Sequence, residues 1–208
     1  HAVTEGGASA LRRGILIHIA LGALLGGGFA LAAGLLGRDV LHDPSLPPLL
    51  RVGSIVVANY TVYAALVGAL NGRRRFVAQA GLDMTFAALR TGLILVAAWA
   101  FGVRGALSGF ALASGIILVT ALALTSGDLR GRAEASAPRE DFAAFSRKYL
   151  RFFAPVLVYQ LALNLVLQVD LLVLKGTLAR VTDATPEAIN RLAGVYKAAQ
   201  TFAFLPYQ

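Results

Sequence analysis

The chain has 208 residues, of which 57% are hydrophobic and 14% charged, with a net charge of +8 and a mean hydropathy of +0.69. A soluble domain carries roughly 25% charged residues, so this composition excludes a water-soluble globule and places the chain in the membrane class. The lack of cysteine excludes disulfides and thiolate chemistry, and no metal site is expected around His18 or His42.

Residues 1–13 are polar and end in Arg12-Arg13, which reads as a cytoplasmic flank. Residues 14–37 carry no formal charge, and at 1.5 Å per residue they are long enough to cross roughly 30 Å of hydrocarbon. Gly22 and Gly26 stand at small-xxx-small spacing and, with Gly27 and Gly28, invite close approach of a neighbouring helix. His18 is expected to be an interior, hydrogen-bonded histidine. Residues 38–51 read as a loop, with Asp43-Pro44 and Pro47-Pro48 as breakers. The second span is 52–71, with Asn59, Tyr60, Thr61 and Tyr63 in its middle, where helix-to-helix hydrogen bonding is expected.

Gly72-Arg73-Arg74-Arg75 closes that span as a tight basic turn. The third span, 76–103, carries Asp83 and Arg90, two helical turns apart and so on one face with Gln79. Charges in a membrane helix face protein or water, so this face points into the bundle or a cavity. The loop Gly102-Val103-Arg104-Gly105 is minimal and makes spans three and four antiparallel neighbours. Span four, 106–127, offers Ser108, Gly109, Ser114 and Gly115 as packing positions.

Residues 128–146 form the longest polar stretch and read as a surface connector between two bundles. The basic run Arg147-Lys148-Tyr149-Leu150-Arg151 then opens a membrane-length apolar segment, 152–174, with Pro155 near its start and Lys175 at its end. Gln160, Asn164, Gln168 and Asp170 lie inside it. An Asp at the centre of a span costs about 2.5–3.5 kcal/mol on insertion scales, so these residues are expected to face protein or water. Gln160, Asn164 and Gln168 share one stripe, whereas Asp170 falls about 160° round the helix from Gln168. A loop is expected over 176–190, with a helix start at Thr185-Pro186-Glu187, and a sixth span opening near Leu192.

Lys and Arg divide eleven to six between the two sides, which puts the three-arginine turn and the connector in the cytoplasm. The cations are interspersed with apolar runs rather than gathered in a stripe, so nucleic acid is not an expected partner. Arg90 and Lys197 are the two cations that fall within spans. No Ser-His-Asp set, paired carboxylates or metal-ligand spacing points to an enzyme. The start at His1 and the apolar run ending at Gln208 lead to the expectation of an internal piece of a longer protein.

The chain resembles the polysaccharide (Wzx-type) flippases of the multidrug/oligosaccharidyl-lipid/polysaccharide (MOP, MATE-like) exporter superfamily. The resemblance lies in Gly68-Ala-Leu-Asn-Gly-Arg-Arg-Arg-Phe76, Phe101-Gly-Val-Arg-Gly-Ala106, Phe153-Ala-Pro-Val156, Val169-Asp-Leu-Leu-Val-Leu-Lys175, Gly194-Val-Tyr-Lys-Ala-Ala199 and Leu205-Pro206. It implies an all-α polytopic bundle of two facing halves. Residues 1–127 would supply about helices three to six of the first half, 128–146 the connector, and 147–208 helix seven and the start of helix eight.

The implied activity is alternating-access transport of undecaprenyl-pyrophosphate-linked oligosaccharide across the bacterial cytoplasmic (inner) membrane, for surface polysaccharide or lipopolysaccharide synthesis. Membrane lipids surround such a protein, and a glycan polymerase and glycosyltransferases of the same pathway are its implied partners. No cofactor is implied beyond a coupling H+ or Na+. Pro155 and the connector fit a helix that bends and a joint between rocking halves.

Within this frame Arg90 and Lys197 are candidates for the pyrophosphate, because cationic donors match phosphate oxygens. Gln160, Asn164 and Gln168 suit sugar hydroxyls. Asp170 and Asp83 are candidates for a coupling ion or an ion pair. Structural readings stand beside these: an ion pair for Arg90, snorkelling for Lys197 and ordering of a helix end for Asp170. The competing functions are a MATE-type drug/cation antiporter, expected to be richer in acids, a membrane-embedded polysaccharide polymerase or ligase, and a non-transporting scaffold.

Overall fold

In hydrocarbon every backbone N–H and C=O must find its partner within the segment, which leaves the helix as the economical solution for an apolar chain of this kind. The computed structural model describes residues 2–41, 43–130, 142–181 and 185–204. These form α1 (Ala2–Leu35), a π-helical turn (Leu36–Val40), α2 (Leu46–Gly72), α3 (Phe76–Arg130), α4 (Phe142–Val181) and α5 (Pro186–Phe204). Four stretches are long and apolar enough to cross a membrane: Leu11–Asp39, Leu46–Gly72, Phe76–Gly127 and Phe142–Val166. The chain is therefore an all-α, multi-pass membrane protein. It divides into two compact units, residues 1–139 and 140–208.

In the first unit, helix extends beyond the predicted limits. Residues 2–13, expected as a flank, already belong to α1, and α2 begins at Leu46 rather than after Arg51. Pro47 and Pro48 are the reason. In the first turn of a helix an N–H has no intrahelical acceptor, so proline there starts a helix rather than breaking it. Asp43 supports the entry, its Oδ1 accepting from the Ser45 N–H at 2.9 Å and the Ser45 hydroxyl at 2.6 Å.

α1 and α2 pack through small residues. A Cβ added at Gly22 would lie 2.9 Å from the Ala58 carbonyl oxygen, and one at Gly26 would lie 2.9 Å from that of Ser54. Gly27 and Gly28, also expected at this seam, have no neighbour within 4 Å of an added Cβ. A helical contact has one face, and 22 and 26 occupy it. Because lipid tails are as apolar as leucine, close packing of this kind, rather than escape from water, holds membrane helices together.

α3 is a hairpin. Gly102 takes φ 63 and ψ −147, which ends one helical arm and starts the next. The second arm returns along the first so closely that a Cβ at Gly105 would collide with the Ala97 carbonyl, and one at Gly109 with that of Leu93. Gly105, Gly109, Ala113, Ile117, Ala121 and Thr125 are all buried, a ridge repeating every fourth residue. Ser108, expected at this seam, is exposed, because it stands one residue off the ridge. The Gly102 conformation is open almost only to glycine. Gly102→Ala should therefore lower stability by about 1–3 kcal/mol, measured as a fall in melting temperature of the purified protein in lipid nanodiscs.

α2 packs on both arms. Asn59 Nδ2 donates to Ser114 Oγ at 2.9 Å, the interhelical bond expected of a polar residue in mid-span. Leu11 and Ile15 of α1, Leu66 and Leu70 of α2, and Leu82, Ala113 and Ile117 of α3 share one core. The outer surface is apolar, with Leu31, Val77 and Trp99 almost fully exposed, as lipid requires. α2 ends in a left-handed cap: Arg74 takes φ 57, Arg75 N–H donates to the Leu70 carbonyl at 2.9 Å, and Arg74 N–H donates to that of Asn71 at 2.9 Å.

In the second unit α4 stays helical through Pro155 and runs to Val181, past the expected loop start at 176. α5 begins at the predicted Thr185-Pro186-Glu187, with Thr185 Oγ1 accepting from the Ala188 N–H at 3.4 Å. Phe145, Tyr149 and Phe153 stack in a row along α4, with ring centroids 6.0 and 6.3 Å apart. Arg147, Lys148 and Arg151 lie exposed at the same end. Most of the expected connector, His42 and Leu205-Pro206 lie outside the described residues.

Candidate functional site

Among the described residues, each unit carries a polar cluster. In the first, the face of α3 predicted from sequence is present, with Asp83 and Arg90 both exposed. Asp83 Oδ1 accepts from the Tyr63 hydroxyl at 3.2 Å, and Gln79 Nε2 reaches Oδ2 at 3.5 Å. The Arg90 guanidinium carbon lies 5.6 Å from the centroid of Phe86 and beside the Tyr60 hydroxyl. Tyr60 and Tyr63 are one turn apart on α2, so each meets one of the two charges on the antiparallel first arm of α3. Their rings stand edge to face at 6.3 Å, and Phe86 packs against both, at 5.4 Å and 6.2 Å.

This arrangement follows from spacing. Phe86 lies three residues after Asp83 and four before Arg90, so it shares their face and stands between them. It is buried, whereas the charges either side are exposed. A guanidinium over an aromatic face is held electrostatically without giving up its N–H donors. His18, by contrast, is buried, with Nδ1 3.0 Å from the Gly14 carbonyl oxygen, as expected of an interior histidine.

In the second unit, α4 and α5 are joined by a chain of hydrogen bonds. Lys197 Nζ donates to Gln168 Oε1 at 2.9 Å and to Gln200 Oε1 at 2.8 Å. Gln200 Nε2 donates to both carboxylate oxygens of Asp170, at 3.2 and 2.9 Å. The Tyr196 hydroxyl donates to Asp170 Oδ2 at 2.6 Å, and the Leu171 N–H to Oδ1 at 2.8 Å. Gln200 thus stands between ammonium and carboxylate with its carbonyl toward the first and its amide toward the second. The reverse orientation would oppose donor to donor, so the two charges fix it.

The amide stripe is not uniform. Asn164 Nδ2 donates to the Gln160 carbonyl oxygen at 2.8 Å, within its own helix, while Gln168 is engaged by Lys197. Gln160 is exposed. Asp170, expected to point away from Gln168 and act separately, is joined to it through Gln200 and Lys197. A helical wheel measures direction at the backbone, whereas the long side chains of α5 span both directions at once. Gln200 and Tyr196 were not singled out as site residues from sequence. Their signal was the spacing 196, 197, 200, which places all three on one helical face.

Chemically, the second cluster holds a cation on neutral oxygens and a carboxylate saturated with donors. The first holds a cation on an aromatic ring and a carboxylate with acceptor capacity to spare. Among the described residues no group of His, Cys, Asp or Glu is placed to hold a metal ion. Comparison with protein-family profiles, characterised proteins and solved structures finds no match to this chain.

Proposed function

We propose that the chain is part of a flippase that carries an undecaprenyl-pyrophosphate-linked oligosaccharide between the leaflets of the bacterial inner membrane by alternating access. The observation that supports this reading most is how its two candidate headgroup cations are held. Arg90 rests on Phe86, and Lys197 on the carbonyl oxygens of Gln168 and Gln200. Among the described residues each is held by neutral groups, with no carboxylate in direct contact. A cation held in this way suits an anionic headgroup, because an oxyanion gains a strong charge-assisted hydrogen bond on arrival.

The sugars fall to Gln160 and the side-chain carbonyl of Asn164, whose hydrogen-bonding capacity suits hydroxyl groups. Asp170 acts as counter-charge to Lys197 through Gln200, and protons or Na+ supply the driving force. Pro155 removes one backbone hydrogen bond from α4 and gives it a place to bend as access alternates. Glycosyltransferases supply the substrate, and a glycan polymerase takes the product.

In cells that depend on the full-length protein for surface polysaccharide, Arg90→Ala and Lys197→Ala should each reduce polysaccharide per molecule of transporter in the membrane by about tenfold or more. A hydrogen bond to a charged group contributes roughly 1.5–3 kcal/mol. Unchanged polysaccharide in both variants would remove the headgroup assignment. Efflux of organic cations that survives both substitutions would favour a drug/cation antiporter.

A further inference from the structure

We infer that the exposed face of α3 is a two-pole subsite for a glycosyl diphosphate, with Arg90 taking the phosphates and Asp83 and Gln79 the sugar next to them. The inference rests on the flippase reading and assigns the sugar nearest the lipid to a residue set other than the amides of α4. Arg90 and Asp83 lie seven residues apart on one helix, about 10.5 Å along its axis. Two opposite charges meant only to neutralise each other in a membrane helix would stand three or four residues apart, where their side chains meet. Here they stand two turns apart with a buried phenylalanine between them.

Each charge has its own support from α2. The Tyr63 hydroxyl donates to Asp83, and the Tyr60 hydroxyl lies beside Arg90. Phe86, wedged against both tyrosine rings, fills the space between the poles. The aromatic triad thus keeps both charges exposed. Exposed charges on a membrane-spanning helix face water or protein rather than lipid, and they mark ligand pathways.

The ligand follows from what each pole has left. The guanidinium retains N–H donors in a planar fork that matches phosphate oxygens. The carboxylate has about four lone-pair sites, of which Tyr63 and Gln79 occupy one on each oxygen. The remaining sites accept from hydroxyl or amide N–H donors. A molecule with oxyanions at one end and several donors about 10 Å away satisfies both poles, and a diphosphate joined to a sugar has that form. The buried rings of Tyr63 and Phe86 serve as supports and not as a stacking platform for the sugar.

The test uses the full-length protein in phosphatidylethanolamine/phosphatidylglycerol nanodiscs and two probes, farnesyl diphosphate and farnesyl-diphosphate-linked N-acetylglucosamine. Wild type should bind the sugar-bearing probe more tightly. Asp83→Asn should lower affinity for it by about tenfold and leave the bare diphosphate within roughly twofold. Gln79→Ala should trim the same sugar increment by less. Arg90→Gln should weaken both probes.

Equal effects of Asp83→Asn on the two probes, or none, would overturn the subsite while leaving the flippase reading intact if Arg90→Gln still weakens both. Full recovery of binding when Asp83→Arg and Arg90→Asp are combined would also overturn it, because only a structural ion pair tolerates exchange. A wild-type protein that binds neither probe would overturn the flippase reading and the subsite together.

Discussion

Gly109→Leu should prevent α3 from closing as a hairpin and lower the stability of the first unit by more than about 3 kcal/mol. The basis is contact rather than conformation. The first added carbon would collide with the Leu93 carbonyl oxygen and lie 3.1 Å from the Ala97 Cβ. Neither neighbour is the far end of a flexible side chain. Backbone and a Cβ atom move only if the two arms separate, and separation also takes Ala113 and Ile117 out of the core they share with Leu66 and Leu70.

Gly92→Ala is the control, because an added Cβ there has nothing within 4 Å. It should be tolerated, and the better helix propensity of alanine should raise stability by up to about 1 kcal/mol. Thermal unfolding of both variants in nanodiscs measures the contrast. Similar melting temperatures for the two would mean that the arms are not held by the Gly105–Gly109 seam.

The difference between these two glycines also marks what sequence alone conveys. The Gly102–Gly105 turn was legible because four residues between two apolar runs leave no route except reversal. The Gly22–Gly26 seam was legible from its spacing, but Gly27 and Gly28 looked equally suitable until a neighbour defined the face. The start of α2 was misread because the same Pro47-Pro48 pair ends one helix or begins another, depending on which side the apolar run lies. In the first cluster, Asp83 and Arg90 stood out as charges in a span and Tyr60 and Tyr63 as interhelical hydrogen-bonding groups, but which tyrosine meets which charge follows only from how α2 packs on α3. The second cluster was less legible still. The role of Gln200 exists only when α5 faces α4, and no periodicity within either helix encodes that pairing.

Neutralising either Asp170 or Lys197 alone should lower the thermal stability of the full-length protein more than neutralising both together. Asp170→Asn removes the carboxylate that accepts from Tyr196 and Gln200 and that balances Lys197 through Gln200. Lys197→Met removes the donor that fixes the Gln168 and Gln200 carbonyls and leaves Asp170 as an uncompensated anion. Removing one partner leaves the other charge uncompensated, which costs more than removing both wherever water is excluded. The double variant restores balance, so its melting temperature should exceed that of either single variant.

The bridging amide sharpens the test. Because ammonium and carboxylate are coupled through Gln200 and not by direct contact, Gln200→Leu should remove most of the coupling while leaving both charges in place. The interaction energy of the Asp170–Lys197 cycle should then shrink toward the few tenths of a kcal/mol typical of independent sites. Strict additivity of the two substitutions in the presence of Gln200 would show that the amide transmits nothing between them. Lys197 and Asp170 would then have to be explained separately. Transport measured per molecule in the same variants separates this balance from substrate binding. If Lys197 meets the headgroup, the double variant regains stability without regaining polysaccharide export.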